Sequence, residues 1–261
     1  MTYEFKTLKV VVDEGVAVLS LNRPEKFNPL SMEMIDELRE AFTALRVDPE
    51  VKVVMLTGEG KAFCAGGDVN GLLDGSIELD YVGGRTLGKT IMAMLGIEKP
   101  VVCAVNGIAA GGGAALVLAS DVIYASEKAK FSEIYAKIGM FPDMANLWLL
   151  PRVVGPYKAK ELSFTAEIID ANEMYRLGIA QKLFQPEELI PKTMDFCKKL
   201  ATGPILSYKF TKTFIDRGWG MSLEQFYDLE ALALEIVVQS EDVKEGCTAF
   251  LEKRKPIYKG K

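Results

Sequence analysis

The chain has 261 residues, 49% hydrophobic and 26% charged, enough to bury a core within one domain carrying an appendage. A formal charge of −5 argues against a general nucleic-acid binder, and the lack of any histidine excludes Ser-His and Cys-His nucleophilic pairs and leaves a poor donor set for zinc or haem. Four scattered cysteines, Cys64, Cys103, Cys197 and Cys247, show no CxxC spacing and read as reduced thiols of a cytoplasmic protein.

The first residues carry no secretory apolar run, and Gly107–Ala119, the longest small-apolar stretch, is shorter than the ~20 residues of a membrane helix. Leu8–Val12 and Val16–Leu21 flank Asp13-Glu14-Gly15, a hairpin signal. Ser31 stands where it can cap a helix with the apolar face Ile35, Leu38, Phe42 and Leu45. Val51–Thr57 reads as a strand ended by Gly58-Glu59-Gly60. Leu72–Gly96 is glycine-laden and reads as mobile or irregular before the helical run Ile91–Leu95. Within it Gly83–Thr90 spells the phosphate-loop pattern GxxxxGK[ST]. The preceding Glu78–Val82 is too short and too charged for the buried strand such a loop follows, so Lys89 is expected in solvent.

Val101–Val105 reads as a buried strand that breaks at Asn106-Gly107 and again at Gly111-Gly112-Gly113, before a buried helix over Ala114–Ala119. Val122–Ala125 is the next strand. Leu147–Val154 and Lys158–Thr165 are helical and are separated by Gly155-Pro156. Asn172–Leu177 is a short helix ended by Gly178, and Ile179–Phe184 a strand. Glu187–Ala201, Ile205–Arg217, Leu223–Gln239 and Asp242–Arg254 are all helical. The chain is therefore α/β, with strands and helices alternating first and helices alone at the end. It lacks a complete GxGxxG.

The stretch Pro100–Asp121 runs from strand through glycine turn to helix, which leaves backbone N–H groups free at a helix N-terminus. A second glycine turn, Cys64-Ala65-Gly66-Gly67-Asp68, also follows a strand. Side by side, two such turns aim one N–H each at a single oxygen and form an oxyanion hole.

FCAGGD and AVNGIAAGGGAA resemble the two signature turns of the crotonase (enoyl-CoA hydratase/isomerase) superfamily, and the resemblance extends from NRPEKFNPL to AFLEKRKPIY. It implies a spiral of repeated ββα units over residues 1–200 and a C-terminal helical segment over 201–261 for oligomerisation and pocket closure, as a homotrimer or homohexamer. It also implies an acyl-CoA thioester substrate whose carbonyl oxygen sits between Gly67 and Gly112, with Ala65, Gly66, Asp68, Tyr135 and Phe141 around the substrate. Arg23, Lys26 and Lys255 are the basic candidates for the CoA phosphates, with a solvated basic face as the alternative for each. Coenzyme A arrives with the substrate, and no metal or redox cofactor is implied.

Hydratases of this superfamily use two glutamates. The corresponding positions here are Ala115 and Tyr135, so both carboxylates are missing; Glu133 is two residues out of register and reads as a structural or surface carboxylate. Met140-Phe141-Pro142-Asp143 before Leu147-Trp148-Leu149-Leu150-Pro151-Arg152 resembles the enoyl-CoA isomerases, including the ring-opening phenylacetate-pathway type, whose acid occupies the Asp143 position. The resemblance implies that Asp143 takes a proton from the acyl chain and returns it to another carbon, in a wall formed by Met140, Phe141 and Trp148 that raises its proton affinity. The competing role for Asp143 is a helix N-cap. Tyr135 either donates a hydrogen bond or shapes the pocket, with shape the favoured role, and Cys64 is read as a small packed residue. The alternative functions are a hydratase or lyase with an atypical acid–base set, a dehalogenase-type substitution that lacks a histidine for its second step, and a non-catalytic acyl-CoA binder.

Overall fold

A computed structural model describes residues 3–75, 77 and 81–260. The hairpin is β1 (Leu8–Asp13) and β2 (Val16–Leu21), antiparallel and joined through Glu14 and Gly15, both at positive φ. Ser31 caps α1 (Met32–Val47), its hydroxyl accepting from Met34 N at 3.3 Å. Then follow β3 (Val53–Gly58), α2 (Val69–Asp74), α3 (Tyr81–Leu95), β4 (Val101–Val105), β5 (Ile108–Ala110) and α4 (Gly112–Leu118). β6 (Val122–Ser126) and β7 (Lys130–Ser132) lead through a 3-10 turn, Ile134–Ile138, into α5 (Asn146–Val154) and α6 (Pro156–Thr165). β8 (Ile169–Asp170), α7 (Ala171–Arg176), β9 (Lys182–Phe184) and α8 (Pro186–Ala201) precede the terminal helices α9 (Ile205–Gly218), α10 (Leu223–Val238) and α11 (Glu241–Leu251).

Six strands form one sheet in the order β1-β2-β3-β4-β6-β9, parallel from β2 onward. Its middle is covered on both faces, which is why β3 and β4 are apolar at nearly every residue. Ala17, Leu19, Val54, Leu56, Val101 and Cys103 face the main core with α1 and α4; Val16, Val53, Met55, Val102 and Ala104 face the other way, onto Leu189 and Cys197 of α8. A smaller sheet runs β5-β7-β8.

The two sheets reveal the repeat. β3 leads to the Cys64 bridge and α2, β4 to β5 and α4, β6 to β7 and the 3-10 turn. Each pass puts one strand in the large sheet and then either a strand of the small sheet or, after β3, the bridge beside β5, so the chain climbs as a spiral of ββα turns.

Two expectations are corrected. Residues 81–95 are helical rather than irregular, because Leu87, Ile91 and Met94 recur on one face and bury against α1, where the Thr90 hydroxyl also donates to Ile35 O at 3.2 Å. The phosphate-loop spelling lies inside this helix with Lys89 exposed, so its backbone is not a free cradle; Glu78, Leu79 and Asp80 ahead of it lie outside the described residues. The second correction concerns the glycine turns, which do not follow the large-sheet strands directly: one follows the isolated Cys64 bridge and the other follows β5 of the small sheet. Among the described residues no helix is long and apolar enough to cross a membrane.

Candidate active site

The glycine turns meet because the strands before them pair. Cys64 N donates to Ile108 O at 2.9 Å, and Ala110 N donates to Cys64 O at 2.9 Å. The chain leaves both segments at the same end, through Ala65-Gly66-Gly67 and Gly111-Gly112-Gly113. Gly66 has φ +108, which side-chain-bearing residues rarely adopt. A Cβ on Gly113 would lie 2.5 Å from Cys64 O, so only glycine lets α4 begin this close to the neighbouring turn. Cys64 itself is buried there, its thiol pushed up to about 12 by desolvation, in keeping with a packing role.

Leu30 N donates to Gly66 O and Asp68 N to Leu30 O, which leaves the Gly67 N–H out of that ladder. Gly112 is the first residue of α4, where N–H groups have no intrahelical acceptor. Among the described residues neither the Gly67 nor the Gly112 N–H has a hydrogen-bond acceptor. Both glycines line one cavity of about 200 Å³. Its walls come from the spiral turns and from α1, α2 and α3: Leu30, Ile35, Val69, Ile77, Leu87, Ile134, Met140 and Met144, with Ala65 and Gly66 beside Gly67.

Asp143 is the carboxylic acid on this largely apolar lining, which also carries Lys137. Tyr135, also on the lining, donates its hydroxyl to Asp143 Oδ1 at 2.6 Å. Asn146 Nδ2 donates to the Tyr135 hydroxyl at 3.1 Å and to Gly111 O at 3.2 Å. One short network thus ties the acid to the second glycine turn. Burial pushes the Asp143 carboxyl above the usual carboxylate range, and the Tyr135 hydrogen bond works against that rise. Burial and the Asp143 charge push the Tyr135 hydroxyl far up, so it remains a donor.

Several expectations change. Asp143 does not cap α5 with its side chain; it gives that helix only its carbonyl, which accepts from Asn146 N at 2.9 Å, and its carboxyl turns to Tyr135. Tyr135 does more than shape the pocket. Glu133 is no surface group, since its side chain is fully buried. Met140 lines the cavity, but Phe141 and Trp148 do not: Phe141 is 71% exposed, and Trp148 stands outside under the Arg152 guanidinium, 3.6 Å from the ring centroid. Arg23 is held by Pro29 O at 3.1 Å and by Asp68 Oδ2 at 3.5 Å, which occupies both side chains outside the cavity lining. Lys26 is exposed on its turn and Lys255 on the C-terminal tail, neither on the lining. Sequence reading missed Asn146 and Lys137, which lies on the lining; neither belongs to a motif that the spacing singles out.

The sequence model of the enoyl-CoA hydratase/isomerase family matches residues 12–261. The chain is 36% identical over 249 residues to crotonyl-CoA hydratase of Syntrophomonas wolfei, covering 94% of this chain and 95% of the relative. It is 34% identical over 257 residues to 1,2-epoxyphenylacetyl-CoA isomerase of Escherichia coli K12, covering 96% and 97%. The crystal structure of enoyl-CoA hydratase from Bacillus anthracis superposes with a TM-score of 0.91 at 31% identity, covering 98% of this chain and all of that one.

Proposed function

The chain belongs to the enoyl-CoA hydratase/isomerase family of acyl-CoA enzymes, and from that premise we propose that it is an enoyl-CoA isomerase with Asp143 as its acid–base group. The observation that carries this reading is the lining itself: two backbone N–H groups without acceptors and one carboxylic acid share a small apolar cavity. The thioester oxygen accepts from Gly67 and Gly112, so negative charge that develops on it is stabilised. Asp143, ionised, removes a proton from the acyl chain; the C–H electron pair enters a conjugated enolate. The same carboxyl then returns the proton to a different carbon, and the double bond has moved. One acid suffices, because the proton leaves and re-enters through it. Tyr135 holds Asp143 facing the cavity, and the raised proton affinity of the acid suits a base that must also give its proton back.

Lys26 and Lys255 are assigned to the CoA phosphates from outside the cavity; Arg23 fixes the Gly67 turn through Asp68 instead. No resident metal or redox group enters this scheme, and coenzyme A comes and goes with the substrate. We further assign the exposed apolar faces of α9, α10 and α11 to contacts between copies of the chain, in a homotrimer or homohexamer.

Water addition is the second reading, supported by the similarity to crotonyl-CoA hydratase. Assays with 3-enoyl-CoA and 2-enoyl-CoA separate the two. Conversion of the former to the conjugated thioester, lost by roughly 10²–10⁴-fold in Asp143→Asn, supports the isomerase. Hydration of 2-enoyl-CoA without migration supports the hydratase, and binding without turnover of either leaves only a binder.

A further inference from the structure

Glu133 is the last residue before the 3-10 turn Ile134–Ile138, two positions from Tyr135. Its side chain is 0% exposed, and among the described residues neither carboxyl oxygen has a hydrogen-bond partner. A buried polar group without a partner is costly, and an ionised one more so. Asn146 Oδ1 is likewise buried without a donor among the described residues, although its Nδ2 donates to the Tyr135 hydroxyl and to Gly111 O. The network around Asp143 therefore has a free acceptor, and the turn that carries Tyr135 has a carboxyl with nothing to bind. Glu133 is absent from the cavity lining.

We propose that Glu133 is a positioning residue of the site: a second carboxyl, set behind the cavity lining, whose ionisation governs how readily Asp143 returns its proton. The inference rests on the reading of Asp143 as the acid–base group. Glu133 keeps its proton up to about pH 8, first because it is desolvated and second because the Asp143 charge opposes another anion nearby. Its charge acts in turn on Tyr135. Of the other charged groups on the elements packed here, Lys137 is exposed and on the cavity lining, Lys130, Lys160, Glu161 and Arg152 are exposed, and Lys158 pairs with Glu161 at 2.9 Å. With Glu133 neutral, the pair carries one negative charge, and Asp143 can hold or release a proton. Once Glu133 ionises, the protonated form of Asp143 is favoured by the adjacent anion, and the second half of the reaction slows.

The test is the pH dependence of kcat for 3-enoyl-CoA isomerisation in wild type and Glu133→Gln. Wild type is expected to lose rate on the alkaline side, roughly threefold or more, with an inflection near the ionisation of Glu133. Glu133→Gln cannot ionise and is expected to lack that inflection while keeping the acid limb of Asp143. Superimposed profiles would overturn the proposal, because a merely structural role changes the height of a profile and not its shape. If Glu133→Gln does not fold, carbonyl-13C glutamate labelling of wild type reads the same claim. One glutamate carboxyl should remain protonated at neutral pH and titrate together with kcat; a full set of ionised glutamates would overturn the proposal. Full activity of Asp143→Asn would instead reject the base assignment beneath it, so the two failures are separable.

Discussion

At the scale of single residues, the site depends on one hydroxyl and two amides. Tyr135 stabilises the Asp143 anion by donating to it at 2.6 Å. Removing that donor in Tyr135→Phe leaves only a backbone hydrogen bond to oppose desolvation, so Asp143 holds its proton to higher pH. The acid limb of kcat/KM is therefore expected to move up by roughly one pH unit. An unmoved limb would mean that the tyrosine does not act on the titrating group. Gly67 tests the other half of the site. An added Cβ there meets nothing within 4 Å, so Gly67→Ala should fold with unchanged Tm. Its methyl group occupies space beside the proposed oxygen position, and a misplaced thioester should lower kcat/KM by on the order of 10²-fold. A folded variant with full activity would remove Gly67 from the scheme. The motifs single out Gly67, Gly112 and Asp143, which share one cavity lining. The Tyr135–Asp143 bond was not legible in the sequence, because it spans eight residues across a 3-10 turn that no periodicity announces.

At the scale of elements, legibility followed burial and length. Val16–Leu21 and Val101–Val105 were readable because strands buried on both faces are continuous apolar runs. Strands β5, β7 and β8 are two or three residues long and have no readable period, yet β5 brings the glycine turns together. In α3 the glycines Gly83, Gly84 and Gly88 each weaken the helix by ~1 kcal/mol relative to alanine, and packing of Leu87, Ile91 and Met94 on α1 outweighs them. Glu133, just ahead of the 3-10 turn, carries a stability cost. The proton affinity of Glu133 is raised from 4.5 in the unfolded chain to about 8 in the folded one. Between those values the unfolded chain binds fewer protons, so stability falls as pH rises through the window. Thermal unfolding should then find Glu133→Gln increasingly more stable than wild type from about pH 4.5 to about pH 8, with the difference level above. A difference constant in pH would show that the buried carboxyl carries no such cost.

At the scale of the whole molecule, the body and the terminal helices differ in what they bury. The spiral encloses its core, whereas α9 has no buried residue and α10 only Ala233. Leu229, Leu232 and Ile236 of α10 join Phe210 and Phe214 of α9 around a cleft of about 230 Å³. Composition could announce these helices but not what their apolar faces meet, since amphipathicity is the same signal whether the partner is the same chain or another copy. Sedimentation is expected to give the mass of three or six copies, and Leu232→Asp to shift it toward one. A monomeric wild type would contradict the assignment of these faces.

The claim most exposed to a single experiment is that Asp143 moves a proton on and off the acyl chain beside two backbone donors. The measurement is deuterium wash-in from D2O to the acyl carbons of a bound enoyl-CoA, in wild type and in Asp143→Asn, with acyl-CoA affinity measured in parallel. The prediction is rapid exchange in wild type and a loss of roughly 10²-fold or more in the variant at unchanged affinity. Equal exchange in both proteins would contradict it.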